Sequence, residues 1–253
     1  MQEYKLSAEA MVMVAGSSAG TQPKFYENGF WYKLDRLGYE SIAEELSSMV
    51  LARSNADDFV IYERCLINER NGCRSANFLR PGESFISFQR LYELYSDISL
   101  QGRITMMDST KERIRFVLDF VYKHTDLDCS GYLSKTLNLD CLILNADRHF
   151  NNLGIIANSE TGTFRTAPIF DHGNALLSDY NRFPADYDLA RNIRSVHSLP
   201  FSADPELQAR EAGLTLKIDY PALMEDLEQY PACRGKEVLL YQLNRYRSVF
   251  CTG

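Results

Sequence analysis

The period of apolar positions changes repeatedly along this chain. Met11–Ala15 is a short apolar run that stops at Gly16-Ser17-Ser18-Ala19-Gly20, which predicts a strand followed by a glycine loop. Phe30–Leu34 is a second, aromatic strand. From Tyr39 the spacing turns helical, with Ile42, Leu46, Met49 and Val50 on one face. Phe59–Ile67 is apolar and β-prone, enough for one or two strands. Beyond it helical signals dominate. Ile114, Val117, Leu118 and Val121 mark a helix that Ser109 or Thr110 can cap, with Glu112 in its first turn. Leu133, Leu137, Cys141 and Leu144 mark another. Leu153–Ala157 and Phe164–Ile169 then predict a β pair around Thr161-Gly162, and Leu239, Leu243, Tyr246 and Phe250 share a face of a final helix. The expected fold class is α+β and bilobal, with a small β-rich lobe over 1–75 and a larger helical lobe over 76–253. The hinge is expected between Phe59 and Phe85, where Asn71-Gly72 and Pro81-Gly82 punctuate the pattern.

Composition narrows the function classes. The 253 residues can bury a substantial core. A net charge of −7 argues against nucleic acid as a partner, because phosphate binding needs a concentrated cationic field. Six cysteines without C-x-x-C spacing give no support to a zinc site or a disulfide framework. No apolar stretch is long enough to span a bilayer, so no membrane association is expected and a cytoplasmic setting is.

The chemistry concentrates in Leu144–Gly173. Phosphoryl transfer needs a carboxylate to orient the attacking hydroxyl, oxygen ligands for Mg²⁺, and a cation on the nucleotide phosphates. Mg²⁺ takes hard oxygen donors, usually one or two carboxylates. Asp147 after a helix, Asn152 leading into a strand and Asp171 ending the returning strand supply such a set, and the hairpin would bring Asn152 and Asp171 side by side. Taken singly, each feature has a bland reading. Asp-Arg-His-x-x-Asn can be a polar turn, Asp-x-Gly is a common turn, and His149 reads as a structural histidine sooner than as a proton carrier.

The ordered set of motifs resembles the HipA-like serine/threonine kinases, bacterial enzymes that share the catalytic layout of protein and phosphoinositide kinases. The matching pieces are Gly16–Lys24, Tyr32-Lys33-Leu34, the helix from Tyr39-Glu40, Asn77–Glu83, Asn-Ala-Asp-Arg-His-Phe-Asn-Asn at 145–152, and Phe-Asp-His-Gly at 170–173. The resemblance implies an ATP- and Mg²⁺-dependent kinase of protein serine or threonine. It implies that Asp147 is the catalytic base, that Asn152 and Asp171 bind metal and nucleotide, and that Lys33 contacts the α/β-phosphates. Glu40 is then expected to pair with Lys33, with Glu44 on the same helical face as its competitor. Gly16, Ser17, Ser18 and Gly20 would cover the phosphates, with Ser17 and Ser18 as autophosphorylation sites. The adenine is expected against backbone around Tyr62–Ile67. A protein substrate and an antitoxin or regulatory partner are also implied. Two departures stand out: His172 replaces the aromatic familiar in protein kinases, and the glycine loop begins so early that the chain resembles the shorter members, without the additional N-terminal subdomain of the longer toxins.

Two other functions fit the same residues: a kinase of a lipid or small-molecule hydroxyl, and a pseudokinase that holds nucleotide without turnover. The segment 174–205, expected to flank the acceptor, carries no readable motif. Its Arg182, Arg191 and Arg194 suit either an acidic or phosphorylated partner or a solvated face.

Overall fold

The computed structural model describes residues 1–12 and 24–253. The expected glycine loop, with Gly16, Ser17, Ser18 and Gly20, therefore lies outside the described residues.

The N-terminal part is a sheet of six strands among the described residues: β1 (Gln2–Tyr4), β2 (Met11–Val12), β3 (Lys24–Glu27), β4 (Phe30–Leu34), β5 (Glu63–Ile67) and β6 (Arg70–Ala76), in the order β1-β5-β6-β4-β3-β2. Phe25, Tyr32, Leu34, Cys65 and Ile67 bury one face with Leu6. Asn68 and Glu69, both in left-handed backbone, turn β5 into β6. Asn71-Gly72 is not the hinge that the sequence suggested. It lies inside β6, where a Cβ on Gly72 would collide with the carbonyl of Lys33 on the neighbouring strand. Glycine is required there by close backbone approach rather than by a turn. The chain leaves this sheet over 77–82 instead, and Gly82 takes the left-handed conformation in that connection.

Helix α1 (Glu40–Ala52) follows β4 in sequence, yet its apolar face is buried with the C-terminal helices. Leu46, Val50 and Leu51 are fully inaccessible, and burial of each stabilises the fold by roughly 1.5–3 kcal/mol. Polar ties reinforce the packing. Tyr230 donates to Glu45 Oε2 at 2.5 Å, Arg53 binds Asp226 at 2.6 Å, and Tyr39 donates to the Leu176 carbonyl at 2.7 Å.

Strand β7 (Glu83–Ser87) opens the second part and pairs with β8 (Gly154–Asn158), which pairs with β9 (Phe164–Thr166). The β8–β9 turn at Gly162 is the expected hairpin. Between β7 and β8 run α2 (Phe88–Glu93), α3 (Leu100–Thr105), α4 (Thr110–Thr125) and α5 (Ser130–Ile143). Ser109 caps α4 by accepting from the Glu112 N–H. The remainder holds α6 (Leu189–Arg194), α7 (Pro205–Ala212), β10 (Ile218–Asp219), α8 (Tyr220–Gln229), α9 (Arg234–Arg245), α10 (Arg247–Phe250) and β11 (Cys251–Thr252). The single final helix expected from its apolar face breaks at Tyr246, and the two pieces still bury Leu239, Leu243 and Phe250 in one cluster. All six cysteines are free. Among the described residues no helix is long and apolar enough to cross a membrane.

Candidate active site

A cleft of about 710 Å³ opens between the six-stranded sheet and the helical part, within the size range of small-molecule sites. Lys24 and Lys33 line it from the sheet, and Asn152 and Asp171 from the other side. Phe78, Phe85 and Phe170 give it an apolar wall, their ring centroids 5.5 to 6.1 Å apart. Segment 75–79 borders the cleft, as do Val60 and residues 85–93 in part. The expected contact strand Tyr62–Ile67 is displaced from it: Cys65 and Ile67 point into the sheet's core, and only Tyr62 reaches the cleft.

Lys33, buried on β4, places its Nζ 2.6 Å from Glu44 Oε1 and 2.7 Å from Asp171 Oδ1, with the Tyr62 ring centroid 5.0 Å away. The partner expected on α1 was Glu40, so this is a correction. Glu40 accepts the backbone N–H groups of Arg36, Leu37 and Gly38 at 3.1, 2.7 and 3.1 Å, closing the turn that starts the helix. Glu44 lies one turn further, where α1 passes Lys33, and its second oxygen accepts the His172 N–H at 2.7 Å. One carboxylate thus fixes both the lysine and the loop that carries Asp171. Burial alone would push the Lys33 ammonium down, but Asp171 and Glu44 outweigh it and hold it well above the usual lysine range. Burial likewise opposes ionisation of Asp171, and Lys33 with Lys24 overcomes it, keeping that carboxyl well below the usual carboxylate range. Lys24, opposite Lys33 in the strand register, makes no ion pair with any of these groups; burial pushes it down, and Lys33 adds to that against the opposing pull of Asp171.

Asp171 does not end a strand. β9 stops at Thr166, and 167–170 continues as irregular chain bridged at Ile169 to Phe59. Asp171 itself adopts φ 64°, donating its N–H to the Tyr62 hydroxyl at 3.2 Å. That left-handed turn, uncommon for a residue other than glycine, aims the carboxylate at the cleft. Asn152 is buried two residues before β8, and its side-chain amide makes no hydrogen bond among the described residues. Asp147 sits half-buried on the loop after α5, with Oδ2 accepting from Asn174 Nδ2 at 3.0 Å.

Arg148 holds these loops in place. It is fully inaccessible and binds Asp140 of α5 through two nitrogens at 2.8 and 3.0 Å. It also donates to the Phe170 carbonyl at 2.7 Å and to His172 Nδ1 at 3.1 Å. Helix end, Asp147 loop and Asp171 loop therefore meet on one guanidinium. Burial and the adjacent Arg148 hold the His172 imidazole well below the usual histidine range, so it is neutral, with Nδ1 as acceptor. His149 is half-buried, and both ring nitrogens are enclosed without a partner. The sequence reading gave no role to Asp140, Arg148 or Asn174, and to Tyr62 only a backbone one. Of these only Arg148 stood inside a recognised motif.

The oxygen donors present suit a hard cation. Asp171 keeps Oδ2 free of the lysine, Asn152 keeps its amide oxygen, and both face the same cleft.

No protein-family model and no curated protein matches this sequence. Among solved structures the chain is similar to the Helicobacter pylori proinflammatory kinase CtkA, at 15% identity and TM-score 0.61 over 90% of each chain. It also aligns with HipA in the Shewanella oneidensis MR-1 complex of HipA, HipB and operator DNA, at 13% identity and TM-score 0.39, over 96% of this chain and 58% of that one. The match to CtkA shows a shared fold, so the expected α+β kinase-like architecture is the one this chain has.

Proposed function

We propose that this chain is an ATP-dependent serine/threonine protein kinase of the HipA-like type. The observation that carries the reading is that Lys33, Asp171 and Asn152 line one cleft of a kinase-like fold, with Glu44 bound to Lys33 and Arg148, next to Asp147, tied to the Asp171 loop. ATP would lie with its base against the phenylalanine wall and segment 75–79, and with its phosphates toward Lys33 and Lys24. Because Glu44 and Asp171 together outweigh the charge of Lys33, Lys24, which makes no ion pair among the described residues, adds cationic character on the phosphate side. Asn152 and Asp171 would hold Mg²⁺, which when bound neutralises charge on the phosphate oxygens. Asp147 orients the acceptor hydroxyl and takes its proton as the oxygen bonds to the γ-phosphorus and the bond to the bridging oxygen breaks, releasing ADP. Ser17 and Ser18 are proposed as autophosphorylation sites, where the added charge of about −2 would repel nucleotide. A polypeptide is the proposed acceptor and an antitoxin-like regulator the proposed partner.

The test is transfer from labelled ATP with and without Mg²⁺. Asp147→Ala should abolish transfer and retain nucleotide binding, whereas Asp171→Ala should weaken Mg–ATP binding itself. Full activity in Asp147→Ala would falsify the mechanism. Mass spectrometry of the wild type after ATP incubation tests Ser17 and Ser18; an unmodified loop in an active enzyme refutes their role.

A further inference from the structure

A second cavity, of about 280 Å³, lies outside the cleft that holds Lys33. Its wall includes Ala146, Arg113, Arg182, His197 and the irregular stretch 198–203. Ala146 directly precedes Asp147, so their Cα atoms are about 3.8 Å apart. Its N–H donates to the carbonyl of Asn174, the residue whose side chain holds Asp147. The cavity and the Asp147 carboxylate thus share one pair of loops.

The charge of this cavity is one-sided. None of its lining residues is acidic, in a chain with 34 acidic residues and a net charge of −7. Arg113 is held by the carbonyls of Phe201 at 2.9 Å and Met107 at 2.9 and 3.2 Å, neutral acceptors that leave its charge uncompensated. The exposed Arg182 guanidinium rests 5.3 Å from the Phe183 ring centroid and makes no hydrogen bond or ion pair among the described residues. The exposed His197 ring makes none either. By contrast, Arg191 is stacked on Tyr187 at 4.1 Å and does not line the cavity. A cationic surface without carboxylates, open enough to admit a side chain, attracts an anion, and apolar Leu199 and Pro200 lie beside it.

We propose that this cavity receives an anionic group, a carboxylate or a phosphoryl group, from a position flanking the hydroxyl that Asp147 addresses on a polypeptide acceptor. The proposal rests on the kinase reading for the acceptor's identity, but the cavity's charge preference can be measured without turnover. Labelled peptides with a central serine and Glu, phosphoserine, Ala or Lys at each flanking position are titrated with the full chain, Mg²⁺ and a non-hydrolysable ATP analogue, and binding is read by fluorescence anisotropy. At one flanking position Glu or phosphoserine should bind about tenfold more tightly than Lys. A gain with phosphoserine alone identifies the phosphoryl group as the ligand, and a gain with both admits the carboxylate. Arg182→Glu should reverse the order, His197→Glu should weaken the preference, and Arg191→Glu should leave it. Nucleotide titration of each variant shows that it is folded. Absence of a charge preference in the wild type, or a preference that survives Arg182→Glu, overturns the proposal. So does an equal loss in Arg191→Glu, which would indicate a diffuse basic face. Failure of the kinase reading would look different: the preference would persist while transfer showed no dependence on Asp147.

Discussion

Lys33 is paired with Glu44, one turn into α1, and not with Glu40 at its first turn. Loss of Glu44 frees the lysine on one side and the His172 N–H on the other. Glu44→Gln is expected to reduce phosphoryl transfer by about 10²-fold through misplacement of Lys33 and Asp171. Glu40→Gln should act on stability instead, costing about 1–3 kcal/mol from the poorly satisfied turn at 36–38. Parallel transfer assays and denaturant titrations of the two variants separate these effects; equal loss of transfer in both would refute the assignment.

Arg148→Ala removes a buried cation and strands Asp140 without its partner. Breaking such a pair from one side costs about 3–5 kcal/mol. For a chain of this size the melting temperature should fall by roughly 10 °C. Arg148→Lys should not restore it, because a lysine cannot serve Asp140, Phe170 and His172 with one planar fork. Thermal denaturation of the three proteins checks the order.

The neutral, buried His172 makes stability depend on pH with a defined sign. Its folded-state value lies well below the ordinary one, so the unfolded chain binds the additional proton first. Stability should begin to fall as pH drops through about 6.5, by up to ~1.4 kcal/mol per unit from this residue. Urea titrations at pH 7.5 and 5.5 should show a larger loss for the wild type than for His172→Phe. Equal losses would place the proton elsewhere.

Asn174 touches Asp147 and does not line the cleft that holds Lys33. Asn174→Ala should lower transfer by about 10- to 100-fold, as loss of an orienting partner does elsewhere, while nucleotide affinity stays near wild type. Single-turnover assays beside nucleotide titrations distinguish this from a binding defect.

Much of the architecture could be read from periodicity because burial enforces it. Leu46 and Val50 recur at helical spacing because one face of α1 is inaccessible, and Ser109 announces α4 because a free N–H must be satisfied. The candidate residues Asp147, Asn152 and Asp171 stood out as an ordered motif. Their supports did not. Glu40 and Glu44 occupy one helical face, and only the turn at 36–38 decides which is free to bind Lys33. Arg148 looks like a surface residue in a polar run, since arginine is rarely inaccessible without a partner. That partner, Asp140, lies eight positions back, across a helix end closed by left-handed Leu144. The stretch 174–188 is held by side-chain-to-backbone bonds such as Ser178 to Gly173 and Asn192 to Pro184, which leave no period to detect.

The ties that bind α1 to Tyr230, Asp226 and Leu176 restrict how this protein can be regulated. A kinase whose corresponding helix floats can be silenced by swinging it away from the lysine. Here an outward swing would drag Leu46, Val50 and Leu51 from the C-terminal helices and expose that core to water. Inactivation by helix displacement would therefore approach unfolding in cost. On the proposed kinase reading, control falls to whatever gates entry of nucleotide or acceptor, with the frame around Lys33 and Glu44 held in place behind it.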